Sequence, residues 1–387
     1  MTTLTLQLCF LIVLAVGGSQ SKSVFNYSEE ILLYRDPESI VETVKISSSD
    51  ASHWQENTTK YWRFDIATQN CQSARVNFES FNMAKGDYVV VYGIDNNNKM
   101  IGVERFEGKG WRDRGEVNSR RVFAKGLIIE LHKKHQESHF LLFYVHYADC
   151  VPHPGMPGSV CGSRDWSNII CYRGHNHITS LGNSVFRIRF VTNGASYFCT
   201  GWKASDDGRF LTNFHCLGNQ TQVSSAELDY KYDSTDCTDD VGSAQKIYHG
   251  DTLIQTSGSN ELDFTIFTVK ENTDHIECLQ RSHEVPSPHH DYMMIIHHPA
   301  GERKKVSLSS DMDSGGLCRR KESCRNPNDY CYDCDTTGGS SGSPVFFWKF
   351  SGRMPVYALH HWGGCPNTGV KLSLVSNAAG QNLGSCT

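Results

Sequence analysis

The chain has 387 residues, of which 39% are hydrophobic and 20% are charged, and its formal net charge is -5 at pH 7. A chain of this length forms two or three domains with sizeable cores, and its apolar fraction argues against disorder. The acidic balance lacks the basic footprint that nucleic-acid binding leaves. The 15 cysteines are too many for a reducing compartment unless they bind metal.

The N-terminus predicts secretion. The uncharged apolar run from Leu4 to Val16 is too short to cross a bilayer, which takes about 20 residues, and small residues follow it. We therefore predict a signal peptide over residues 1–21, although no Lys or Arg precedes the run. The alternative is a buried N-terminal strand. The mature protein is expected to be secreted and extracellular, with no membrane span.

The cysteine count agrees with an oxidising compartment. Cleavage of the signal peptide removes Cys9 and leaves an even number of cysteines, which in a secreted chain predicts that all are paired in disulfides. Sequons at Asn26, Asn57 and Asn219 predict N-linked glycosylation wherever these side chains are exposed.

A Pro-rich segment divides the mature chain. We place a linker at residues 151–160, because their prolines are incompatible with a regular helix or sheet. Residues 22–150 are predicted to form a β-sandwich, since runs such as Tyr88–Tyr92 and Phe140–Val145 are rich in β-branched and aromatic residues. Residues 161–387 are also rich in short strands separated by glycine-bearing turns.

Three motifs in the second part carry chemistry. His215 follows an apolar strand end, Asp263 lies within an apolar strand, and Ser341 lies in a Gly/Ser-rich turn. Each motif alone has a purely structural explanation, but a Ser nucleophile needs a base and that base needs an orienting acceptor. The order His, Asp, Ser is that of chymotrypsin-type proteases. The backbone amides of Gly339 and Ser341 would then form the oxyanion hole.

With these motifs, residues 160–375 resemble chymotrypsin-fold serine endopeptidases, in the branch with the lysyl and glutamyl endopeptidases. The likeness rests on the His motif Leu211–Cys216, on Ile295–Pro299 followed by Lys304–Ser307, and on His361–Gly364. The resemblance implies an all-β protein, a chymotrypsin-like double β-barrel preceded by a β-sandwich, with the active site between the barrels.

The resemblance implies a serine endopeptidase that hydrolyses protein or peptide substrates through an acyl-enzyme, without a cofactor or metal. One alternative is a catalytically silent homologue that acts as an extracellular binding protein. Residues 22–150 resemble a CUB-type sandwich, which would be an accessory domain with an extracellular ligand or a pro-region. Ser340 stands where the trypsin group carries an acidic partner for a newly cut N-terminus, so that activation switch is not expected.

Specificity signals conflict. Asp335 stands where trypsin-like enzymes hold the acid that binds Lys or Arg, whereas Thr336 and His361 match positions that bind a carboxylate in glutamyl endopeptidases. Trp362 and Gly363 belong to the strand that pairs with substrate beside this pocket. A charged P1 residue is expected, with Lys or Arg slightly favoured over Glu.

The family resemblance also suggests disulfide pairs, namely Cys199–Cys216, Cys161–Cys365 and Cys171–Cys237. For the first domain we predict Cys71–Cys150. Six cysteines allow 15 connectivities, and they are Cys278, Cys318, Cys324, Cys331, Cys334 and Cys386. The cluster within residues 318–334 has metal-ligand spacing, but disulfides are the better prediction for a secreted chain. Residues 311–322 match some calcium-loop positions, and intruding basic residues argue against calcium.

Overall fold

The computed structural model describes residues 34–36, 39–56, 60–67, 71–95, 97, 99–150, 159–238, 240–285, 292–348 and 354–387. The predicted signal peptide and residues 151–158 of the predicted linker lie outside the described residues. Strands dominate the described part of the chain, and the helices are short. None of the described helices is long and apolar enough to cross a membrane.

The first domain is a β-sandwich. The strands up to the linker are β1 (Tyr34–Arg35), β2 (Ser39–Ser47), β3 (Trp54–Glu56), β4 (Lys60–Ala67), β5 (Cys71–Asn82), β6 (Tyr88–Ile94), β7 (Met100–Phe106), β8 (Val117–Asn118), β9 (Gly126–His132) and β10 (His139–Cys150). One sheet has the order β2-β10-β5-β8 and the other β3-β4-β9-β6-β7. Between them Phe140 packs edge-on against Trp62 and Phe78, with ring centroids 5.1 and 4.9 Å away, which fills the core with large apolar area.

The second domain begins with a closed β-barrel. In chain order, the elements of this half of the domain are β11 (Ser167–Asn168), α1 (Asn176–Gly182), β12 (Val185–Thr192), β13 (Ala195–Lys203), β14 (Arg209–Thr212), α2 (Gln220–Ser225), β15 (Glu227–Tyr230), β16 (Lys246–Ser257) and β17 (Phe264–Val269). Of these strands, β11 pairs with the sheet of the second barrel. The order β13-β12-β15-β16-β17-β14 closes because β14 also pairs with β13. Phe186, Ile188 and Phe190 of β12 alternate into the barrel core, as a period of two requires.

A second barrel follows and includes the cysteine-rich segment. Its elements are β18 (Tyr292–His297), β19 (Lys305–Ser307), β20 (Asp329–Tyr332), β21 (Pro344–Trp348), β22 (Val356–Trp362), β23 (Asn367–Lys371) and α3 (Leu372–Ala379). The sheet runs β11-β19-β18-β21-β22-β23-β20. Single bridges from Arg319 to Tyr292 and from Arg320 to Tyr332 link β18 to β20. The cysteine-rich segment therefore completes the barrel wall.

One apolar core joins the two barrels. Leu211 and Ile266 of the first barrel belong to the same buried cluster as Ile296 and Leu359 of the second. The strand end before His215 and the turn that carries Ser341 thus face each other across a rigidly packed boundary. The all-β prediction of a double β-barrel preceded by a β-sandwich is confirmed.

The first strand differs from the predicted domain boundary. Although it precedes the sandwich in sequence, β1 extends the first barrel, with Tyr34 opposite Phe198 and Arg35 opposite Tyr197 in antiparallel register. The next residue, Asp36, forms an ion pair with Arg189 at 2.9 Å, and both are 1% exposed. Because both charges are buried, moving β1 away would leave each of them unpaired, which is costly. The ion pair therefore holds β1 on the barrel.

The sandwich and the first barrel meet through buried charges. The Arg75 guanidinium donates to the Ser225 carbonyl at 2.6 Å and lies 3.5 Å from the Glu227 carboxylate, which also pairs with Arg121. A second contact places Trp111 Nε1 2.7 Å from Asp251. Burial raises the pKa of Glu227, but the guanidinium groups of Arg121 and Arg75 lower it by more, so it stays ionised far into acid.

Removal of this carboxylate should loosen the domain contact. In the Glu227→Gln variant two buried guanidinium groups lose their counter-charge, and the free energy of unfolding should fall by about 3–5 kcal/mol. Urea unfolding measures the loss. The matched control is Glu107→Gln, because the Arg105–Glu107 pair is half exposed and should contribute about 0–1 kcal/mol. Equal losses in both variants would contradict the assignment.

Candidate active site

His215 and Asp263 are brought together by two neighbouring strands. His215 follows β14 and Asp263 immediately precedes β17, and these strands pair. The Nδ1 atom of His215 lies 2.8 Å from Asp263 Oδ2, and the His215 backbone amide donates to Oδ1 at 3.1 Å. Asp263 has a φ of 46°, a backbone conformation that is uncommon for residues other than glycine and is held here by its contacts.

The hydrogen bond to Asp263 sets the proton positions on the His215 ring. With its proton on Nδ1 facing the carboxylate, the neutral ring presents a lone pair at Nε2. This Nε2 atom is buried and has no hydrogen-bond partner among the described residues. Burial raises the pKa of Asp263, but the contacts with His215 and His361 lower it by more, so the carboxylate stays charged.

His361 is the second imidazole at this carboxylate. Its Nδ1 lies 3.6 Å from Asp263 Oδ2 and its Nε2 lies 3.1 Å from Asp329 Oδ2. Burial lowers the pKa of His361, but these two carboxylates outweigh it and raise the pKa to about 9. His361 therefore lies buried between two carboxylates, whose negative charge favours its protonated form, and its role in binding an acidic P1 side chain stays a prediction.

Ser341 lies in a turn that depends on glycine. Gly339 and Gly342 have φ values of 93° and 87°, which residues other than glycine rarely adopt. A Cβ atom on Gly342 would come within 2.1 Å of the Thr200 carbonyl oxygen. The Thr200 amide donates to the Ser341 carbonyl at 2.8 Å, and its hydroxyl to the Gly339 carbonyl at 2.9 Å. Strand β13 thus holds the turn from below.

A disulfide lies near both His215 and the Ser341 turn. Cys199 and Cys216 are bonded, and their sulfur atoms lie within 4.8 Å of a His215 ring nitrogen. The Ser341 carbonyl oxygen is 4.0 Å from the Cys216 sulfur. Among the described residues, the amides of Gly339 and Ser341 have no backbone acceptor. The Cys199–Cys216 disulfide therefore lies close to both the His215 ring and the Ser341 backbone.

A neutral hydrogen-bond relay supports the turn below Ser341. The Thr337 amide donates to Ser340 Oγ at 3.2 Å, and Ser340 Oγ lies 2.8 Å from His297 Nδ1. On the other side of the ring, Nε2 lies 3.0 Å from Ser307 Oγ, which donates to the Asp335 carbonyl. Each group donates once and accepts once if His297 carries its proton on Nε2. Burial lowers the pKa of His297 well below its usual value, so the ring stays neutral.

The other two P1 candidates have internal partners. The carboxylate oxygens of Asp335 accept from the amides of Cys161 and Asp165, both at 2.7 Å, and burial raises the pKa of Asp335. The Thr336 hydroxyl donates to Asn367 Oδ1 at 3.0 Å and is fully buried. The Thr336 hydroxyl therefore already has a partner inside the protein, and its role in binding a substrate carboxylate stays a prediction.

The predicted substrate strand ends next to His215. The Trp362 ring stacks on the His215 ring, with centroids 5.8 Å apart. Gly363 lies against Ser159, since a Cβ atom there would come within 1.9 Å of Ser159 Oγ. The Ser159 carbonyl also accepts from Asn367 Nδ2 at 3.2 Å. The described end of the linker therefore lies against the strand predicted to pair with substrate.

The structure contains each of the four suggested disulfides and pairs the other six cysteines. The bonds are Cys71–Cys150, Cys161–Cys365, Cys171–Cys237, Cys199–Cys216, Cys278–Cys386, Cys318–Cys334 and Cys324–Cys331. The two bonds within residues 318–334 leave no thiolate there for zinc. Among the described residues, each group with metal-like spacing contains cysteines that are bonded in this way. Asp313, a candidate calcium ligand, instead pairs with Lys321 at 2.8 Å.

The sequons fall in different parts of the chain. Asn219 is exposed at the start of α2, where its side-chain oxygen accepts from the Gln222 amide at 2.9 Å. Asn26 and Asn57 lie outside the described residues.

Sequence reasoning missed Asp329 and His297. Asp329 lies in no recognisable motif, and His297 lies in the Ile295–Pro299 segment of the family resemblance with no role assigned to it, because each acts on a residue brought to it from elsewhere in the chain. The histidine pair at 297–298 was the one local signal.

The His361 ion pairs predict an alkaline loss of stability. The pKa of His361 is about 9 in the folded protein and about 6.5 in an unfolded chain. Protonated His361 therefore stabilises the fold fully below about pH 6.5, and this stabilisation is lost as the pH rises through about 9.

The His361→Gln variant should lack this alkaline decline. In wild type the decline in unfolding free energy between about pH 7 and about pH 10 should be on the order of 1–3 kcal/mol, measured by urea unfolding at each pH. His177→Gln, on the exposed side of α1, is the control and should keep the wild-type decline. An identical pH profile for all three proteins would exclude a charged His361.

Several known proteins are similar to this chain. Among curated proteins, secreted RxLR effector protein 73 of Plasmopara viticola is 27% identical over 311 residues, which cover 76% of each chain. The active form of the Rv3671c protease from M. tuberculosis is 18% identical with a TM-score of 0.39, covering 62% of this chain and 96% of that one. Protease Anisep from Arthrobacter nicotinovorans is 18% identical with a TM-score of 0.37, covering 51% and 95%.

The family comparison covers the candidate site. The model described as "Lysyl endopeptidase, C-terminal domain" matches residues 166–363, just over half of the chain. This range includes His215, Asp263 and Ser341. The chain belongs to the lysyl endopeptidase C-terminal domain family.

Proposed function

We propose that this protein is a secreted serine endopeptidase that uses Ser341, His215 and Asp263 as its catalytic triad. The observation that carries the proposal is the 2.8 Å contact between His215 Nδ1 and Asp263, which leaves Nε2 as a base beside the disulfide that also holds the Ser341 turn. The family match over residues 166–363, which include all three of these residues, supports the same assignment.

The residues act in the order that their chemistry requires. Ser341 Oγ attacks the scissile carbonyl while His215 Nε2 takes the hydroxyl proton of Ser341. This transfer is needed because a hydroxyl is a weak nucleophile until a base removes its proton. His215 then protonates the leaving amine, and the acyl-enzyme is hydrolysed by water through the same proton transfers in reverse. Asp263 holds the ring in the required tautomer and stabilises the imidazolium that forms.

The Ser341 turn supplies the electrostatic part of catalysis. The amides of Gly339 and Ser341 would donate to the oxyanion of the tetrahedral intermediate, and one such donor contributes about 3 kcal/mol. The relay through Ser340 and His297 keeps the turn in shape without the buried ion pair that the trypsin group uses. No newly cut N-terminus is required for this support.

The contacts in the site favour a basic P1 residue over an acidic one. His361 and Thr336, the two candidates for binding a carboxylate, are engaged inside the protein. Asp335 is also fixed by two amides and is 1% exposed, but it is a carboxylate with further lone pairs, and its negative charge favours a basic side chain nearby. Lys or Arg at P1 is therefore the proposed preference.

Secretion and the accessory role of the sandwich belong to the same proposal. The curated relative is named as a secreted protein, the described cysteines are paired in seven disulfides, and Asn219 is exposed for glycosylation. The buried contacts of Arg75 and Arg121 with Glu227 favour a sandwich that stays attached as an accessory domain rather than a pro-region that is released. Its CUB-type resemblance and its extracellular ligand remain predictions, as do the domain boundaries.

A fluorophosphonate probe tests the nucleophile. Wild-type protein should be labelled, and Ser341→Ala should not, because the probe phosphonylates an activated serine. Ser180→Ala, on the exposed side of α1, is the matched control and should label like wild type. Labelling that survives Ser341→Ala would refute the triad, and a wild type that never labels would favour the silent homologue.

A library of peptidyl coumarins tests the P1 preference. Substrates with Lys or Arg before the coumarin should be cleaved fastest, and Asp335→Asn should reduce their kcat/KM by about tenfold or more, since a buried charge contact is worth about 1.5–3 kcal/mol. Cleavage that favours Glu, or neither charge, would contradict this assignment.

A further inference from the structure

The first strand of the chain lies along the edge of the candidate active site. Tyr34 pairs with Phe198, two residues before Thr200, whose amide and hydroxyl hold the Ser341 turn. At about 3.3 Å per residue in a strand, Tyr34 is thus about 7 Å along β13 from that turn. The Tyr34 ring also lies on Gly338, since a Cβ atom on Gly338 would come within 2.8 Å of it.

β1 runs in the same direction as the part of a bound substrate that follows the scissile bond. Pairing is antiparallel, with Arg35 opposite Tyr197 and the Asp36 amide donating to the Ser196 carbonyl at 2.8 Å. Moving backwards from Asp36 to Tyr34 therefore approaches Ser341. A peptide with its scissile carbonyl at Ser341, continuing along the free edge of β13, would place its second residue after the cut where Tyr34 lies.

β1 is held in this place by more than backbone pairing. Asp36 pairs with Arg189 at 2.9 Å in the barrel wall, and Tyr34 is itself 8% exposed. Only residues 37–38 separate Asp36 from β2, so the strand is tethered to the sandwich. The sandwich is in turn fixed to the barrel by Glu227 and its arginines. The effective concentration of β1 at this edge is therefore high.

We propose that β1 occupies the binding site for the leaving-group side of the substrate and so determines which substrates the site accepts. This inference rests on the proposed function. With β1 in place, acyl donors with a small leaving group reach Ser341, but polypeptides that extend beyond the scissile bond compete with β1 for β13. Endopeptidase cleavage then requires β1 to leave, and any factor that loosens it activates the enzyme towards proteins.

The exposure of the site agrees with an occupied cleft. Ser341 is 7% exposed, His215 is 4% exposed and Tyr34 of β1 is 8% exposed, so β1 and the two candidate catalytic residues are all largely covered. Only molecules in which β1 has left the edge of β13 can bind long substrates. The apparent rate on these substrates should therefore be proportional to the fraction of such molecules.

The test compares two substrates that share one acyl sequence. One is a peptidyl coumarin with no residue after the scissile bond, and the other is an internally quenched peptide with several residues after it. Asp36→Ala removes the ion pair with Arg189, and Tyr34→Gly weakens β1 without leaving a buried charge unpaired. Asp65→Ala, an exposed sandwich carboxylate paired with Arg63, is the control.

The ratio of kcat/KM for the long substrate to that for the coumarin is the readout. It should rise by about tenfold or more in Asp36→Ala and in Tyr34→Gly and stay at the wild-type value in Asp65→Ala. Unchanged ratios in proteins whose Ser341 still reacts with the fluorophosphonate probe would overturn the role of β1 alone. Absence of labelling in all four proteins would overturn the proposed function and this inference with it.

Discussion

The candidate site depends on the buried carboxylate of Asp263. A charge removed from water is costly unless it is paired and hydrogen-bonded, and Asp263 is fully buried. Two residues offset this cost. The ring and backbone amide of His215 contact the carboxylate on one side, and the imidazole of His361 lies on the other. Because each partner comes from a different strand end, the carboxylate holds both barrels to one geometry.

The same constraint recurs where the domains meet. Glu227 is buried against two arginines of the sandwich, and Asp36 is buried against Arg189 of the barrel. These pairs give little net stability compared with apolar packing, but loss of one partner is expensive. They therefore determine position more than strength, and they fix the sandwich and β1 at defined places on the first barrel.

Local patterns revealed the parts of the site that have a local signal. His215, Asp263 and Ser341 each stand in a short motif whose residue types are required by the chemistry or by a tight turn. His361 was recognised as a site residue, but its identity says nothing about which carboxylates surround it. Asp329 has no motif, because its role is defined only by the strand β20 that carries it to His361.

The sequence alone indicated an oxidising compartment, the all-β class, a division at the Pro-rich linker and the order of the three candidate catalytic residues, and the family resemblance implied the double barrel. Composition, strand periodicity and turn chemistry act over a few residues and are visible in one dimension. Only the tertiary structure decided that β1 belongs to the barrel, that Thr336 and His361 are engaged internally, and how the last six cysteines pair. Each of these depends on contacts between residues far apart in sequence, where burial and strand pairing decide the outcome and no local pattern records it.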